Sequence, residues 1–590
     1  MAIYHTLKNR YQLELAKLRQ KYNAVSTFRL ISILMLLTAL FYFIKTENAI
    51  FACAAIVMAA VFLLLVRWHT AISSEKHFKE ALKEINEKEI LYLGRTVIPF
   101  EDGASFNDFK HPYVHDLDIF GPHSLFQHLN RTFTFIGTKT LADQLAHALP
   151  EAQILENQEA VQELAQKLDW RQDFMAFAKI SHDSKQLYNT LISWSTFDST
   201  PISRTSTVIS FLSPLFLAVS FAAYQFSKAP VFLPLASFFF VFNLAWLGKF
   251  YKRIAIEIAN AQGIDAIIKK YGLIVEHIEK ASFASKKAQA LQKQLEYKNE
   301  AASLHLKQLS SLFSKMDSIN NFAAAVFFNG FFLFHLHSLK ALVQWKKDNA
   351  CALRQWVAAI GEFEMLNSLA NFSYNNPAFA YPSLNSKYEI SFTGLGHPLL
   401  DEKKRVGNDV SFQPQPFMIL TGSNMSGKST FLRSLGINMV LTGIGAPVCA
   451  VAANVHPLPV LVSMRLSDSL SESESYFYAE IKRLKQIIDK LDEQRSFVLL
   501  DEILRGTNSD DKRSGTIKVV RKMVDKKAIG AIATHDIEVC STAGEFPGQL
   551  ANKCFEAAII NDDLHFDYQL YDGICRNKSA TFLMEKMGVI

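Results

Sequence analysis

The sequence predicts an α/β domain at the C-terminal end, an all-α region before it, and four transmembrane helices in two pairs. Short apolar strands alternate with helical segments beyond residue 378, and apolar residues recur every three or four positions through most of the preceding chain. Four further runs are almost wholly apolar over about 17 to 19 residues, the length that crosses a hydrocarbon core as a helix. At 590 residues the chain has room for several such units.

The composition favours a protein that touches lipid. Hydrophobic residues make up 49% of the chain against 20% charged residues, and 47 residues are phenylalanine. The net charge of +6 neither indicates nor excludes nucleic acid. The six cysteines are scattered without C-x-x-C spacing, which predicts neither a disulfide framework nor a zinc site and fits a reducing cytosol.

The first apolar pair occupies residues 28–68, after a basic segment at residues 1–27. Its runs are Phe28–Ile44 and Ala49–Val66, joined by only four residues, so we expect a transmembrane hairpin. A signal peptide is disfavoured, because the second run follows at once and no small-residue cleavage site leads into a polar domain.

The second pair occupies residues 206–250. Its runs are Val208–Phe226 and Val231–Leu247; Pro214 and Pro234 interrupt them, so buried core helices remain the alternative. Basic residues flank the outer ends of both hairpins, which places both termini and both large polar regions in the cytoplasm. We therefore expect a multi-pass protein of the cell (inner) membrane, with the lipid bilayer as a partner.

Residues 69–205 and 251–377 are predicted to be mostly helical. Within the second part, Ala323–Leu336 is apolar but only 14 residues long, which fits a buried helix better than a span. Lysines such as Lys286, Lys287 and Lys293 lie on helices between residues 254 and 318. A solvated helix face is the simpler interpretation of these lysines, and contact with nucleic acid is the alternative.

Residues 421–430 fit the pattern G-x-x-x-x-G-K-[ST] at every fixed position. The strand Phe417–Leu420 precedes them and a predicted helix, Phe431–Leu441, follows, which is the context a P-loop requires. Such a loop holds ATP phosphates on backbone N–H groups and a lysine, and its hydroxyl residue binds Mg²⁺. The candidate nucleotide-binding residues are Gly422, Ser423, Asn424, Met425, Ser426, Gly427, Lys428, Ser429 and Thr430, with Ser429 also a metal ligand.

Two later strands end in candidate catalytic residues. The apolar strand 496–500 delivers Asp501 and Glu502, a Walker B arrangement in which Asp501 holds Mg²⁺ and Glu502 orients or deprotonates the attacking water. The strand 528–533 ends at Thr534 and His535, where His535 is placed to sense the γ-phosphate; a purely structural histidine is the alternative. Between these motifs, residues 467–480 form a serine-rich stretch that opens a helix, for which an ordinary N-cap is the simpler interpretation.

Together these parts resemble the MutS family of ABC-type ATPases. TGSNMSGKST at 421–430 is similar to the family's TGPNMGGKST, LLDE at 499–502 with RGT at 505–507 is similar to its LLDE-(I/L)-GRGT, and ATH at 533–535 matches its switch. The stretch 467–480 is similar to its SDDLxxxxSTFxxE signature. The resemblance implies an ABC-type ATPase domain over residues 378–590 that works as a homodimer.

The same resemblance assigns further roles. It implies that Ser475 contacts the γ-phosphate bound by the opposite subunit, and that Arg405 lies where family members stack an aromatic ring on adenine. Ser473 and Glu474 depart from the Gly and Arg that mismatch-repair members carry. Residues 116–137 and 358–376 resemble the family's lever, the helical region that connects ATPase to clamp, and His397-Pro398 resembles its HP turn.

Two functions follow, and sequence alone does not separate them. Only 27 residues precede the first apolar run, so we expect the chain to lack the mismatch-recognition domain. One hypothesis is a membrane-anchored MutS-like ATPase that couples ATP hydrolysis to DNA binding through the basic helices. The other is a DNA-independent ATPase that transmits dimer closure to its hairpins. Small-molecule transport is disfavoured, because no acid or base lies deep in a predicted span.

Overall fold

The computed structural model describes residues 1–181, 183–197, 200–260, 263–465, 476–560 and 563–575. It opens with two antiparallel helices of 45 residues each, α1 (Ala2–Thr46) and α2 (Ala49–Leu93). The turn between them is tight because Glu47 adopts a left-handed conformation, with φ 49°, and the Asn48 side chain caps α2 by accepting from the Ile50 N–H at 2.9 Å. Both helices extend beyond their apolar runs.

Helices dominate the chain from residue 94 to residue 375. The second antiparallel pair is α8–α9, and α14, with 42 residues, is the longest helix of this part. The bounds are α3 Leu125–Leu129, α4 Phe135–Ala146, α5 Glu151–Gln166, α6 Leu168–Lys179, α7 Lys185–Thr196, α8 Arg204–Ser227, α9 Phe232–Asn260, α10 Ile264–Glu279, α11 Lys286–Lys293, β1 Glu296–Tyr297, β2 Glu300–Ala301, α12 Ala302–Asp317, α13 Phe322–Phe332 and α14 Phe334–Asn375.

Four helices are long and apolar enough to cross a membrane: α1, α2, α8 and α9. Their most apolar stretches are only 6%, 6%, 28% and 17% buried, respectively, against the rest of the described chain. A soluble core helix covers its apolar face with neighbouring side chains. The apolar stretches of α1, α2, α8 and α9 are instead largely uncovered by protein.

The buried helix predicted over Ala323–Leu336 was wrong. The run divides at Leu333, which has a left-handed φ of 47°, into α13 and the start of α14, and the two helices are bent by 84°. On α13, Phe322 is 82% exposed and Phe327 is 53% exposed. A run shorter than a membrane span need not be covered by protein, so its length could not establish burial.

The C-terminal part contains two sheets. Its elements are β3 Ser383–Leu384, β4 Ile390–Leu395, β5 Asn408–Ser411, β6 Phe417–Gly422, α15 Lys428–Gly443, β7 Ala452–Val455, β8 Val460–Ser463, α16 Tyr476–Glu493, β9 Phe497–Asp501, α17 Ser509–Asp525, β10 Ile529–Ala533, α18 Thr542–Glu545, β11 Leu550–Ile560 and β12 Asp563–Asp572. The larger sheet has the order β12-β11-β6-β10-β9-β8, and the smaller has the order β3-β7-β4-β5.

The larger sheet brings the candidate residues to one edge. Strands β11, β6, β10, β9 and β8 are mutually parallel, and only β12 runs antiparallel. Ala533 pairs with both Leu420 and Asp501, so β6, β9 and β10 end at the same level. Ligands of open α/β sheets bind at this carboxyl edge.

A buried polar network joins the first hairpin to α14. Glu89 of α2 is 1% exposed and accepts hydrogen bonds from Asn371 and Asn375 of α14, each at 3.0 Å. Arg131, 3% exposed, forms an ion pair with the same carboxylate, and Tyr4 of α1 donates to Asn375 at 2.8 Å. The base of the hairpin is therefore fixed to the end of α14 that leads into the sheets.

We expect Glu89→Ala to destabilise the protein by about 3–5 kcal/mol, because Arg131 would be left buried without its carboxylate. Thermal unfolding in detergent measures the effect. The matched control is Glu84→Ala on the same helix, where a carboxylate that is 48% exposed pairs with Lys179. That change should cost at most about 1 kcal/mol. Equal shifts in the unfolding midpoint would mean that the Glu89 network does not stabilise the junction.

Candidate active site

The loop between β6 and α15 requires glycine at two positions. Gly427 has φ 106°, and a Cβ there would lie 3.1 Å from Cδ1 of Tyr568. A Cβ on Gly422 would lie 2.6 Å from the Ser426 hydroxyl and 2.9 Å from the carbonyl oxygen of Phe555. Side chains at either position would fill the space that the loop needs to fold over the start of α15.

The loop surrounds a cavity of about 720 Å³ at the N-terminus of α15. The hydroxyls of Ser423 and Ser426 are buried and have no hydrogen-bond partner among the described residues. The Lys428 ammonium donates to the carbonyl oxygens of Gly422 and Ser423, each at 2.9 Å, and burial lowers its pKa. Unpartnered donors, a lysine and a helix N-terminus together make an anion site. Asn424, Met425, Ser429 and Thr430 line the same cavity.

Asp501 lies at the end of β9 with its side chain buried. Burial raises the pKa of this carboxyl, and a hydrogen bond with the Ser429 hydroxyl acts in the opposite direction. Asp501 Oδ1 has no hydrogen-bond partner within the described part of the chain. No group of three His, Cys, Asp or Glu side chains in that part could hold a metal ion. Mg²⁺ nevertheless fits Ser429 and Asp501, because it is usually held by one or two protein oxygens together with water and phosphate.

Glu502 forms a close pair with His535. Glu502 Oε1 lies 2.6 Å from His535 Nε2, which in turn lies 3.5 Å from the Lys428 ammonium. The hydrogen bond from His535 lowers the pKa of Glu502 to about 2, and the charges of His535, Arg505 and Lys428 act in the same direction against desolvation. The structure thus brings Lys428, Glu502 and His535 into one chain of contacts beside the cavity.

Two residues, Ser475 and Arg405, were predicted from the family resemblance alone. Ser475 lies outside the described residues. The Arg405 guanidinium sits 5.1 Å from the ring centroid of Phe379 and lines a neighbouring cavity. At the loop cavity itself, the lining residues from this segment are Lys404 and Val406. The structure does not bring Arg405 together with the P-loop residues.

Two residues at the site escaped the sequence analysis. Tyr568 of β12, with φ 56°, lines the loop cavity and lies against Gly427, but no motif marks it. Glu480 of α16 accepts hydrogen bonds from the backbone N–H groups of Leu504 at 2.7 Å and Arg505 at 3.2 Å. Glu480 thereby fixes the turn that follows Glu502. Its position as the last residue of the serine-rich signature was the available signal.

Comparison with known proteins places the site in a family. The profile of MutS domain V matches residues 418–588. The DNA mismatch repair protein MutS of Natronomonas pharaonis is 31% identical over 242 residues, which are 40% of this chain and 28% of that protein. The protein of the same name from Chlorobaculum parvum is 31% identical over 205 residues, 33% of this chain and 23% of that protein.

The matched residues 418–588 lie within the α/β part, and the chain spans only about a quarter of the length of these two relatives. The class of protein domain to which the fold and site are similar is therefore the MutS domain V, which is related to mismatch-repair ATPases.

The Glu502–His535 pair predicts a pH-dependent stability. The pKa of Glu502 in the folded protein, about 2, is below the roughly 4.3 of an unfolded chain. The pair therefore stabilises the fold fully above the unfolded pKa, and its contribution is lost as pH falls toward the folded pKa. We expect His535→Ala to lower the thermal midpoint at neutral pH, and the difference from the parent to shrink as the pH falls below about 4.

Thermal unfolding at a series of pH values checks this expectation. His565→Ala is the matched control, because His565 is an exposed histidine on β12 of the same domain. A difference between parent and His535→Ala that persists unchanged at the lowest pH would contradict the pairing.

Proposed function

We propose that the chain is a membrane-anchored MutS-type ATPase that binds and hydrolyses ATP as a homodimer and couples this cycle to DNA binding. The observation that carries the ATPase proposal is the convergence of Lys428, Glu502 and His535 beside a glycine-bounded cavity. A lysine, an ionised carboxylate and a hydrogen-bonding histidine at the N-terminus of a helix suit phosphoryl transfer to water.

In the proposed reaction, N–H groups at the start of α15 and the Lys428 ammonium bind the β- and γ-phosphates. Ser429 and Asp501 would hold Mg²⁺, which when bound neutralises charge on the phosphate oxygens. Glu502 accepts a hydrogen bond from the attacking water and orients it in line with the leaving group. The hydrogen bond from His535 lowers the pKa of Glu502 to about 2, so Glu502 is a weak proton acceptor while that bond is in place.

His535 has two partners in reach. In the described structure it pairs with Glu502, and its 3.5 Å contact with Lys428 supports a position beside the bound γ-phosphate. When the γ-phosphate is present, an N–H of His535 donates to it. This exchange of partners leaves Glu502 free to accept a hydrogen bond from the water. The histidine therefore makes the availability of the Glu502 carboxylate depend on whether a nucleotide is bound.

The dimer is proposed from the family resemblance. Ser475 of the second subunit would contact the γ-phosphate and complete the site.

Glu502→Gln should leave ATP binding within about twofold and lower phosphate release at least about 100-fold, because the amide cannot accept the water proton. Glu538→Gln is the control, since that carboxylate is 65% exposed and pairs with Arg513 at the surface. Binding of a fluorescent ATP analogue and steady-state phosphate release measure the two effects. Phosphate release by Glu502→Gln at the parental rate would exclude Glu502 from catalysis.

The trans role of Ser475 is tested by mixing two inactive variants. Ser475→Ala and Lys428→Ala each disable the sites to which they contribute, so each homodimer should be nearly inactive. A mixed dimer carries one site with an intact Lys428 and an intact Ser475 from its partner, and should regain up to about a quarter to a half of the parental rate. If the mixture stays as inactive as the separate variants, Ser475 does not act across a dimer.

Membrane anchoring is proposed from α1, α2, α8 and α9, whose apolar stretches are largely uncovered. Basic residues at the outer ends of both hairpins support a multi-pass protein of the cell membrane with its ATPase part in the cytoplasm.

Coupling to DNA is proposed from the similarity to DNA mismatch repair proteins and from the basic helices. Lys286 and Lys293 of α11 are exposed, but Lys287 pairs with Glu362 at 3.1 Å. Lys307 pairs with Glu276 at 3.0 Å. The basic surface available to phosphates is therefore smaller than the lysine count implies.

One observation favours a second candidate, an ATPase that acts on its membrane hairpins without DNA. Helix α14 begins beside α8 and α9, where the imidazole of His337 lies 3.1 Å from the Ser210 carbonyl, and it continues unbroken to Asn375 at the entry to the sheets. Movement of the ATPase part would therefore reach the membrane helices through a rigid element.

A further inference from the structure

We propose that α13 is a re-entrant membrane element, which enters the acyl-chain region on the ATPase side and leaves on that same side without crossing. This inference rests on the proposed membrane anchoring. It assigns the exposed apolar side chains of α13 to lipid acyl chains, in continuity with the uncovered faces of α8 and α9. These side chains include Phe322, Phe327 and Phe332, which are 82%, 53% and 56% exposed.

The flanking helices exclude a crossing. Helices α12 and α14, on either side of α13, pack against each other, and the Trp345 indole N–H donates to the His305 carbonyl at 3.1 Å. Leu309 of α12 and Leu342 of α14 belong to the same core cluster. An element that crossed the bilayer once would leave these two helices on opposite sides. With 11 residues, α13 is about 16 Å long, about half of a hydrocarbon core.

The depth of α13 follows from its contacts with α8 and α9. Asn243 of α9 donates to the carbonyl oxygen of Gly330 at 2.8 Å, and it lies six residues before Lys249, the first basic residue on that helix. His337, just beyond the bend, contacts the carbonyl of Ser210 on α8, which lies six residues after Arg204. At about 1.5 Å per residue, both contacts therefore lie about 9 Å deeper in the membrane than Lys249 on α9 and Arg204 on α8.

The bend between α13 and α14 is built for an apolar surrounding. Backbone groups freed by a helix break must find protein partners wherever water is absent. The freed Gly330 carbonyl accepts from Asn243, which is itself fully buried, and the freed His335 N–H donates to the Asn329 side chain at 3.0 Å. The His335 ring lies 3.0 Å from the Ser318 hydroxyl and 2.7 Å from the Asn329 amide. A break exposed to water would not need these side chains.

Close packing holds α13 against α9. A Cβ on Gly330 would lie 2.2 Å from the Phe240 ring, so only glycine permits this approach. The Phe240 and Phe331 rings meet at 5.1 Å in an edge-to-face arrangement. Helix α13 is therefore fixed to the second hairpin through Gly330 and Phe331, while Phe322, Phe327 and Phe332 stay exposed.

Photocrosslinking to lipid tests the inference in the full chain. Single phenylalanines are replaced by p-benzoylphenylalanine, and the variants are reconstituted in phosphatidylethanolamine and phosphatidylglycerol vesicles with tritiated acyl chains. Phe327 probes α13, and Phe332 is a second probe in case the first variant misfolds. Phe216, 50% exposed on α8, probes the proposed anchor, while Phe109, 60% exposed in the segment that hydrogen bonds to β8, is the soluble control.

We expect the Phe327 and Phe216 variants to carry at least about fivefold more lipid label than the Phe109 variant, because acyl chains surround only membrane-embedded side chains. Label at Phe216 without label at Phe327 and Phe332 would overturn the re-entrant assignment and leave the anchoring proposal standing. Background label at all positions would overturn both proposals.

A protease site inserted between Asn320 and Asn321 then distinguishes re-entry from crossing. Both residues are exposed between α12 and α13. We expect cleavage from the ATPase side of sealed vesicles. Cleavage only from the opposite side would show that the chain crosses the bilayer near α13 and would overturn the proposal.

Discussion

The long helix α14 is the constraint on which the rest of the structure depends. Its 42 residues extend about 63 Å, from the bend beside the second hairpin to the entry of the sheets. Its last turns carry Asn371 and Asn375, which bind the Glu89 carboxylate of the first hairpin. Glu364, fully buried on the same helix, accepts from the backbone N–H groups of Phe133 and Thr134 before α4, and burial raises its pKa to about 7. Both apolar hairpins are thus tied to one rigid element.

The α/β part is tied to the helical part just before the serine-rich signature segment, residues 467–480. Asp116 accepts hydrogen bonds from the backbone N–H groups of Met464 at 2.8 Å and Arg465 at 2.9 Å, just before the segment that contains Ser475. Beyond that segment, Glu480 holds the turn after Glu502. The described residues on either side of the signature segment are thus held by the carboxylates of Asp116 and Glu480.

The sequence predicted which candidate residues meet at one edge of the sheet where backbone geometry is encoded locally. The P-loop pattern, the apolar strand before Asp501 and the strand before His535 each fix a residue type at a strand end, and parallel pairing brings such ends together. Tyr568 reaches the cavity only through the β11–β12 pairing and a left-handed backbone, neither of which a local pattern carries. Arg405 was predicted from the family resemblance alone, and its guanidinium lies 5.1 Å from the ring centroid of Phe379.

The prediction failed at α13 for a different reason. Hydrophobicity and length distinguish membrane spans from shorter helices. They do not determine whether protein or lipid covers a short apolar helix. That depends on tertiary contacts, here Asn243 with Gly330 and Trp345 with His305, which lie far apart in sequence. The two pairs of apolar helices could be predicted because each apolar run is long enough on its own to indicate a membrane span.

The measurement that tests the central proposal most directly is the steady-state ATPase rate of the lipid-reconstituted chain. It is made without DNA and with perfect duplex, mismatched duplex and a branched junction, at low and moderate salt, with Glu502→Gln as the blank. The proposal predicts that one DNA form stimulates the rate and that stimulation falls steeply as salt rises, since phosphate contacts release counterions. A rate that depends on lipid but is indifferent to every DNA would contradict coupling to DNA and favour direct action on the membrane hairpins.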